Sequence, residues 1–182
     1  MHEEAFPRPA SFYATCKQAV ENIGLNYARW CGVDFAAMRY GAVAGPWSGD
    51  GGGGSSMVFL AMLRAALANE EAVVPAAPIE WVYSKDAARA TLLAARAPKL
   101  KCRVFNVTMG GATTPEELAA ALTAAIPGAR YRIEVPADRQ AMPTQPGSLS
   151  TSLARDELGF VPEYPMGLAV RDMADWLRRR QA

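Results

Sequence analysis

Two side chains that can move a proton, the phenol of Tyr13 and the ammonium of Lys17, stand four residues apart near the start of the chain. In a helix this spacing puts both side chains on one face, one turn from each other. Tyrosine ordinarily titrates near ~10, and a neighbouring positive charge favours its phenolate. The pair could therefore take a proton from a substrate hydroxyl. The same spacing is common in exposed surface pairs, so the surrounding sequence has to distinguish a catalytic pair from an ordinary surface pair.

The sequence predicts a helix from about Phe12 to Cys31 that would carry this pair. Ser11 is a suitable N-cap and Gly32 is a suitable end. Apolar residues recur at intervals of three and four, as in an amphipathic helix. These positions are Tyr13, Cys16, Val20, Ile23, Tyr27 and Trp30.

A buried strand is predicted after this helix, from Phe35 to Val43. Its residues are almost all apolar apart from Arg39, which is typical of a parallel strand covered on both faces. The sequence Gly45-Pro46-Trp47 then ends the strand.

The order of these features resembles the extended short-chain dehydrogenase/reductases, the NAD-dependent epimerase/dehydratase family. The shared features are Tyr-x-x-x-Lys on a helix, a short turn, a strand that carries Arg39, and a Val-x-Gly-Pro exit. Three later segments resemble family segments in the same order, so the resemblance covers nearly the whole chain. They are 81–90, 104–107 with 110–118, and 154–162 with 167–168 and 175–176.

The resemblance implies an α/β fold: the C-terminal part of a Rossmann-like parallel sheet, plus the small α/β substrate-binding region. Residues 1–182 would form one truncated domain, with the catalytic helix and last Rossmann-type strands in 1–47 and mainly the substrate-binding region in 48–182. The family's glycine-rich pyrophosphate turn has no counterpart in the sequence. Neither Ser11 nor Thr15 matches the family's catalytic Ser or Thr. The sequence therefore looks like the C-terminal half of such an enzyme.

The resemblance also implies a redox site that uses NAD or NADP. Tyr13 would be the acid/base, and Lys17 would stabilise its phenolate and hold the nicotinamide ribose. Backbone at the end of the strand would lie against the nicotinamide, which points to Tyr40, Gly41 and Val43. Substrate contacts are expected from Trp47, Trp81 and Tyr83.

Two departures from the family pattern argue against a nucleotide-sugar substrate. Ala42 and Ala44 stand where the family usually has Asn and Tyr, and the Asn commonly helps to hold a sugar nucleotide. The family often places an Arg for phosphate just before the strand at 81–84, where this chain has Pro78-Ile79-Glu80.

Composition excludes several other classes of function. The chain has 182 residues, of which 51% are hydrophobic and 20% charged, an ordinary globular composition. A net charge of +1 gives no electrostatic case for nucleic acid or a membrane surface. One histidine and three widely spaced cysteines offer no metal-ligand cluster. The sequence also has no apolar run of roughly 20 residues and no signal peptide, so a cytoplasmic location is expected.

The remaining elements follow from periodicity and caps. Thr114 and Glu117 form a predicted capping box. The glycine-rich run at 48–54 predicts a flexible substrate-side loop, and residues 70–80 and 136–146 predict irregular connections. Helices are expected at about 57–69, 85–97, 115–126, 151–158 and 166–180, and strands at 81–84, 103–108 and 130–135. Polar and apolar residues alternate along 130–135, which predicts a strand with one exposed and one buried face.

Three hypotheses about function remain open at this point. The chain could be part of an oxidoreductase that needs an N-terminal Rossmann half for activity. It could instead be a non-catalytic module that keeps the Tyr–Lys pair as a remnant and assembles through an exposed sheet edge, as a homo-oligomer for example. It could also bind a small molecule in the substrate cleft without a cofactor.

Overall fold

The computed structural model describes residues 1–47, 53–134 and 148–181, with the side chain of 181 left out. Within these ranges helices and strands alternate along the chain. The helices are α1 (Phe12–Cys31), α2 (Gly54–Leu67), α3 (Ser84–Arg96), α4 (Pro115–Ala125), α5 (Ser152–Leu158) and α6 (Met166–Gln181). The strands are β1 (Ala37–Tyr40), β2 (Ala42–Ala44), β3 (Glu71–Pro75), β4 (Ile79–Tyr83), β5 (Val104–Val107), β6 (Ala112–Thr113) and β7 (Arg130–Glu134).

Parallel pairing dominates the described strands. β1 pairs with β5, β2 with β4, and β3 with β7, all in parallel, whereas the short β6 runs antiparallel to β4. Consecutive parallel strands need helical crossovers, and the chain supplies them. The predicted α/β fold with a parallel sheet is confirmed.

Strand β4 separates two hydrophobic clusters. Successive side chains of a strand point to opposite faces. Trp81 and Tyr83 enter the larger cluster, built with α2, β3, α4 and α6, whereas Val82 enters the smaller cluster with α3, β5 and α5. All three side chains are fully buried.

Most predicted helices form close to their predicted bounds. The capping box at the start of α4 is complete: the Glu117 N–H donates to the Thr114 hydroxyl at 3.2 Å, and the Thr114 N–H donates to the Glu117 carboxylate at 2.8 Å. Pro115 occupies the first helical position, as predicted.

Three predictions about strands were wrong. Residues 71–75 form β3 rather than an irregular connection, because parallel pairing with β7 supplies their backbone partners and Pro75 stands at the strand's end. The predicted continuous strand from Phe35 to Val43 is divided at Gly41 into β1 and β2, which join different sheets. All five residues of β7 are exposed, so its polar–apolar alternation does not mark a buried face.

Two of the predicted loops lie wholly or mostly outside the residues that the structure describes. Residues 48–52 of the glycine-rich run and the whole loop at 136–146 lie outside the described residues. The proposed division between residues 47 and 48 stays a prediction. None of the helices in the described ranges combines the length and apolar character that crossing a bilayer requires.

Candidate active site

The first two turns of α1 hold the predicted proton-transfer pair. Ser11 caps the helix, since its hydroxyl oxygen accepts a hydrogen bond from the backbone N–H of Ala14 at 3.1 Å. Tyr13 is therefore the second helical residue, and Lys17 follows one turn later. The Lys17 Nζ lies 5.4 Å from the centroid of the Tyr13 ring, within the range of a cation–π contact. The structure brings the two side chains together, as their spacing predicts.

Both side chains of the pair are open to solvent. Tyr13 is 72% exposed, and Lys17 is exposed as well. Within the described ranges of the chain, Lys17 makes no ion pair, so its ammonium remains available to an oxygen acceptor. The catalytic role of the two residues stays a prediction.

Two contacts attach α1 to the sheet beneath it. The Arg39 guanidinium on β1 donates two hydrogen bonds to the Glu21 carboxylate, Nε to Oε2 and Nη2 to Oε1, both at 2.7 Å. A side chain at Gly24 would collide with the Phe35 ring, so glycine lets the helix approach that ring closely. These contacts fix the position of α1 relative to β1.

The Arg39 guanidinium also contacts the first residues of the chain. Its Nη1 donates to the Glu3 carbonyl at 3.0 Å. The buried Glu3 carboxylate accepts the Asn106 N–H at 2.9 Å, which ties the same segment to β5. Hydrogen bonding to Glu21 is the largest cause that raises the pKa of Arg39 above its ordinary value. Helix α1, the N-terminal segment and both strands therefore meet around one arginine.

The predicted nicotinamide contacts lie where β1 leads into β2. The Tyr40 hydroxyl bonds to the Thr91 hydroxyl at 2.5 Å, so this ring faces α3. A Cβ on Gly41 would stand 2.6 Å from the Glu80 carbonyl oxygen, so this position has to be glycine. The Val43 carbonyl accepts the Ser56 hydroxyl at 2.6 Å. The cofactor contacts of Tyr40, Gly41 and Val43 stay predictions.

The structure corrects two of the three predicted substrate contacts. Trp81 and Tyr83 have no exposed surface, since Trp81 packs against Phe59 with ring centroids 5.4 Å apart and Tyr83 stacks on Tyr164 at 4.8 Å. A ring without exposed surface cannot touch a substrate, so both belong to the core. Trp47 is exposed, and its predicted substrate contact is untested.

A polar cluster lies at the carboxyl end of β4. The Tyr83 hydroxyl donates to Asp172 at 2.5 Å, and the Lys85 ammonium pairs with the other oxygen of Asp172 at 2.7 Å. Burial is the largest cause that raises the pKa of Tyr83, followed by this hydrogen bond. Burial by itself would raise the pKa of Asp172, but hydrogen bonds from Lys85 and Tyr83 outweigh it and the pKa lies below its usual range. Ligands of open α/β sheets bind beyond the carboxyl ends of the strands, which is where this cluster stands.

Two hollows on the surface of the described residues do not include the Tyr13–Lys17 pair. One is lined by Gly32 and Asp34, which follow the end of α1, together with Pro98 and Arg103. Another lies along α2 and is lined by Met57 and Arg64, among others. In the described chain the pair therefore stands on an open helix face rather than in either hollow.

Sequence reasoning missed the partners that hold these residues. Arg39 is the one charged residue in an apolar strand, which signals that a carboxylate must be nearby, but the sequence does not say which. The carboxylate is Glu21, 18 residues away. Asp172 is 87 residues from Lys85, and no local pattern connects them.

Comparisons with known proteins agree with the fold and the motifs. The sequence profile of the NAD dependent epimerase/dehydratase family matches residues 1–108. No curated protein matches the chain. A partial consensus L-threonine 3-dehydrogenase is a similar solved structure, with a TM-score of 0.84 and 30% identity over 96% of this chain and 58% of that chain.

Two natural proteins of known structure are also similar to this chain over nearly all of its length. An L-threonine dehydrogenase from Phytophthora infestans has a TM-score of 0.85 and 26% identity over 96% of this chain and 58% of that chain. A UDP-glucose 4-epimerase from Thermotoga maritima has a TM-score of 0.77 and 24% identity over 100% and 58%, and at that identity it shows the fold alone. The chain thus spans somewhat more than half the length of each of these structures.

Proposed function

Because this chain belongs to the NAD-dependent epimerase/dehydratase family, we propose that it contributes the catalytic helix of an NAD(P)-dependent oxidoreductase. The substrate is a small molecule that carries a hydroxyl or a keto group. The contact between the Lys17 ammonium and the Tyr13 ring is the observation that supports this proposal.

The chain's own residues would handle the proton of the reaction. The Tyr13 oxygen accepts the proton of the substrate hydroxyl, and the positive charge of Lys17 favours the phenolate that does so. Bound NAD or NADP would supply the acceptor for the hydride. Lys17 has a free ammonium and could also donate to the hydroxyls of a ribose, so this part of the site fits the cofactor.

Activity would also need residues that hold the pyrophosphate. The sequence has no glycine-rich dinucleotide fingerprint, and the similar solved structures are longer than this chain. We therefore propose that an N-terminal Rossmann half, in the same polypeptide or as a separate partner, completes the cofactor site.

The substrate is proposed to be a small hydroxy amino acid rather than a nucleotide sugar. The two threonine dehydrogenases described above have higher TM-scores and identities than the UDP-glucose epimerase. Glu80 belongs to the stretch 78–80, where the family often has a phosphate-binding Arg, and its carboxylate accepts the Leu149 N–H at 2.9 Å. A negative charge at this position would repel a diphosphate.

Turnover with and without the phenol tests the proposal. The chain is combined with the N-terminal Rossmann segment of the Phytophthora infestans dehydrogenase, and NADH formation from L-threonine is followed. Tyr13→Phe should lower kcat by at least about 10²-fold because the acid/base is gone, with little change in NAD affinity. Tyr27→Phe, an exposed tyrosine on the same helix, is the matched control and should keep full activity.

A second candidate function is a non-catalytic assembly module. It is favoured by the exposed apolar positions of α1 and by β1, which among the described strands pairs with β5 alone and so has an open edge there. Unchanged turnover in Tyr13→Phe, or no turnover in the combined protein, would favour this module over the oxidoreductase.

A further inference from the structure

Three residues of α1 lie along one line of the helix. Tyr13, Lys17 and Glu21 are spaced four apart, so Lys17 has a neighbour one turn before it and another one turn after it. The ammonium can turn toward the phenol or toward the carboxylate. A free carboxylate at this spacing would attract the ammonium and compete with Tyr13 for it.

In the structure the carboxylate is already occupied. Both Glu21 oxygens accept hydrogen bonds from Arg39 at 2.7 Å, in the two-pronged geometry that suits a guanidinium. The Glu21 side chain is 14% exposed and that of Arg39 is 30% exposed, so water competes weakly for them. Lys17 lies over the Tyr13 ring instead.

A further contact fixes the arginine itself. Its Nη1 donates to the Glu3 carbonyl at 3.0 Å, so the guanidinium is held from α1 on one side and from the N-terminal segment on the other. Arg39 also lies on β1 immediately before Tyr40 and Gly41, the predicted nicotinamide contacts. The Arg39 side chain therefore connects α1, which holds Tyr13 and Lys17, to β1, which leads to the predicted cofactor contacts.

We propose that Arg39 is a positioning residue: by occupying both oxygens of Glu21, it keeps that carboxylate from capturing Lys17 and leaves the ammonium to Tyr13. The value of the free ammonium for catalysis rests on the proposed function, whereas the competition between Arg39 and Lys17 for Glu21 does not. A lysine at position 39 could not replace the arginine fully, because an ammonium lacks the planar fork that fills both carboxylate oxygens.

The reactivity of Lys17 tests this directly in the 182-residue chain. Limited acetylation with acetic anhydride, read by peptide mass spectrometry, reports how much of each amine is free to react. A carboxylate partner favours the charged ammonium, which does not attack the reagent. Arg39→Gln releases Glu21 and should lower the acetylation rate of Lys17 about twofold, the scale of a single ion pair one helical turn apart.

Two matched variants separate positioning from a purely structural ion pair. Glu21→Gln breaks the same pair but creates no competing carboxylate, so Lys17 should react as in the wild type. The double variant Arg39→Gln/Glu21→Gln should restore the wild-type rate. Equal effects of Arg39→Gln and Glu21→Gln, or no rescue in the double variant, would overturn the proposal.

A milder variant keeps the test decisive if Arg39→Gln does not fold. Arg39→Lys retains the charge and should lower the acetylation of Lys17 by less than twofold, with the loss again reversed by Glu21→Gln. No change in Arg39→Lys would count against the proposal. If the acetylation results appear as expected but Tyr13→Phe keeps full turnover, the positioning by Arg39 stands and the proposed function fails.

Discussion

Helices α1 and α6 show similar apolar spacing but opposite burial. Helix α6 places five residues in the larger cluster, where α4 and α2 pack against it. Helix α1 has no buried residue, and its apolar positions at intervals of three and four face solvent. The buried residues of α6 are Ala169, Val170, Met173, Ala174 and Leu177.

The difference teaches that stability and the predicted chemistry lie in separate regions of this chain. Helix α6 is held by the burial of many apolar groups, which is strong and without direction. Helix α1 is held by a few specific contacts, chiefly the directional hydrogen bonds of Arg39 to Glu21 and the close approach of Gly24 to the Phe35 ring. A helix held in this way has a defined orientation but adds little to the hydrophobic core.

The largest expected effect comes from matched truncations in the two helices. Met173 in α6 is 1% exposed, so Met173→Ala should lower the free energy of unfolding by about 2–5 kcal/mol. Ile23 in α1 is 57% exposed, so Ile23→Ala should change it by less than about 0.5 kcal/mol. Urea unfolding followed by circular dichroism measures both.

One outcome would break the comparison. If Ile23→Ala costs as much as Met173→Ala, then α1 is covered in solution. A cost that grows with protein concentration would identify a second copy as the cover.

A smaller effect is expected at the joint between the two regions. Gly41 lies between β1, which contacts α1, and β2, which belongs to the core. In Gly41→Ala the new methyl group would meet the Glu80 carbonyl at 2.6 Å, and a backbone atom cannot move aside cheaply. We expect a loss of about 1–3 kcal/mol in the free energy of unfolding.

Gly111→Ala serves as the control for Gly41→Ala. A Cβ on Gly111 would meet nothing within 4 Å, so its effect should stay below about 0.5 kcal/mol. Similar losses in the two variants would show that the close approach at Gly41 is not what matters.

The smallest effect concerns acid stability near α6. The pKa of Asp172 is lowered in the folded state, so its contribution to stability is present above the unfolded value near ~3.9 and is lost as the pH falls through the folded value. Between about pH 5 and pH 3, the free energy of unfolding of the wild type should fall more than that of Asp172→Asn. Asp175→Asn, on the same helix, should keep the wild-type acid sensitivity, and an equal change in both variants would contradict the assignment.

Local signals in the sequence predicted the elements well. Ser11 and Gly32 mark the ends of α1, and Thr114 with Glu117 marks the start of α4, because caps act through neighbouring backbone groups. Strand β3 was missed because its two nearby prolines suggested a loop, whereas pairing with β7, more than fifty residues later, decides its conformation.

The sequence predicted the local part of the candidate site and missed the part that depends on distant residues. The Tyr13–Lys17 contact follows from helical spacing alone, so the sequence contains it. The ion pairs of Glu21 with Arg39 and of Lys85 with Asp172 depend on tertiary folding, which no local pattern reports. Burial was the hardest property to predict, since Trp81 and Tyr83 belong to a strand whose two faces are both covered.

The opposite orientation of neighbouring side chains on β4 has a consequence for alignment. A slip of β4 by one residue would drive Trp81 and Tyr83 into the smaller cluster and leave Val82 to fill the space of two aromatic rings. Neither space could accept the exchange, so β4 has only one workable alignment with β2, with Ala44 opposite Tyr83. The carboxyl end of β4, where Lys85 pairs with Asp172, is thereby set to within a single residue by the volumes of buried side chains.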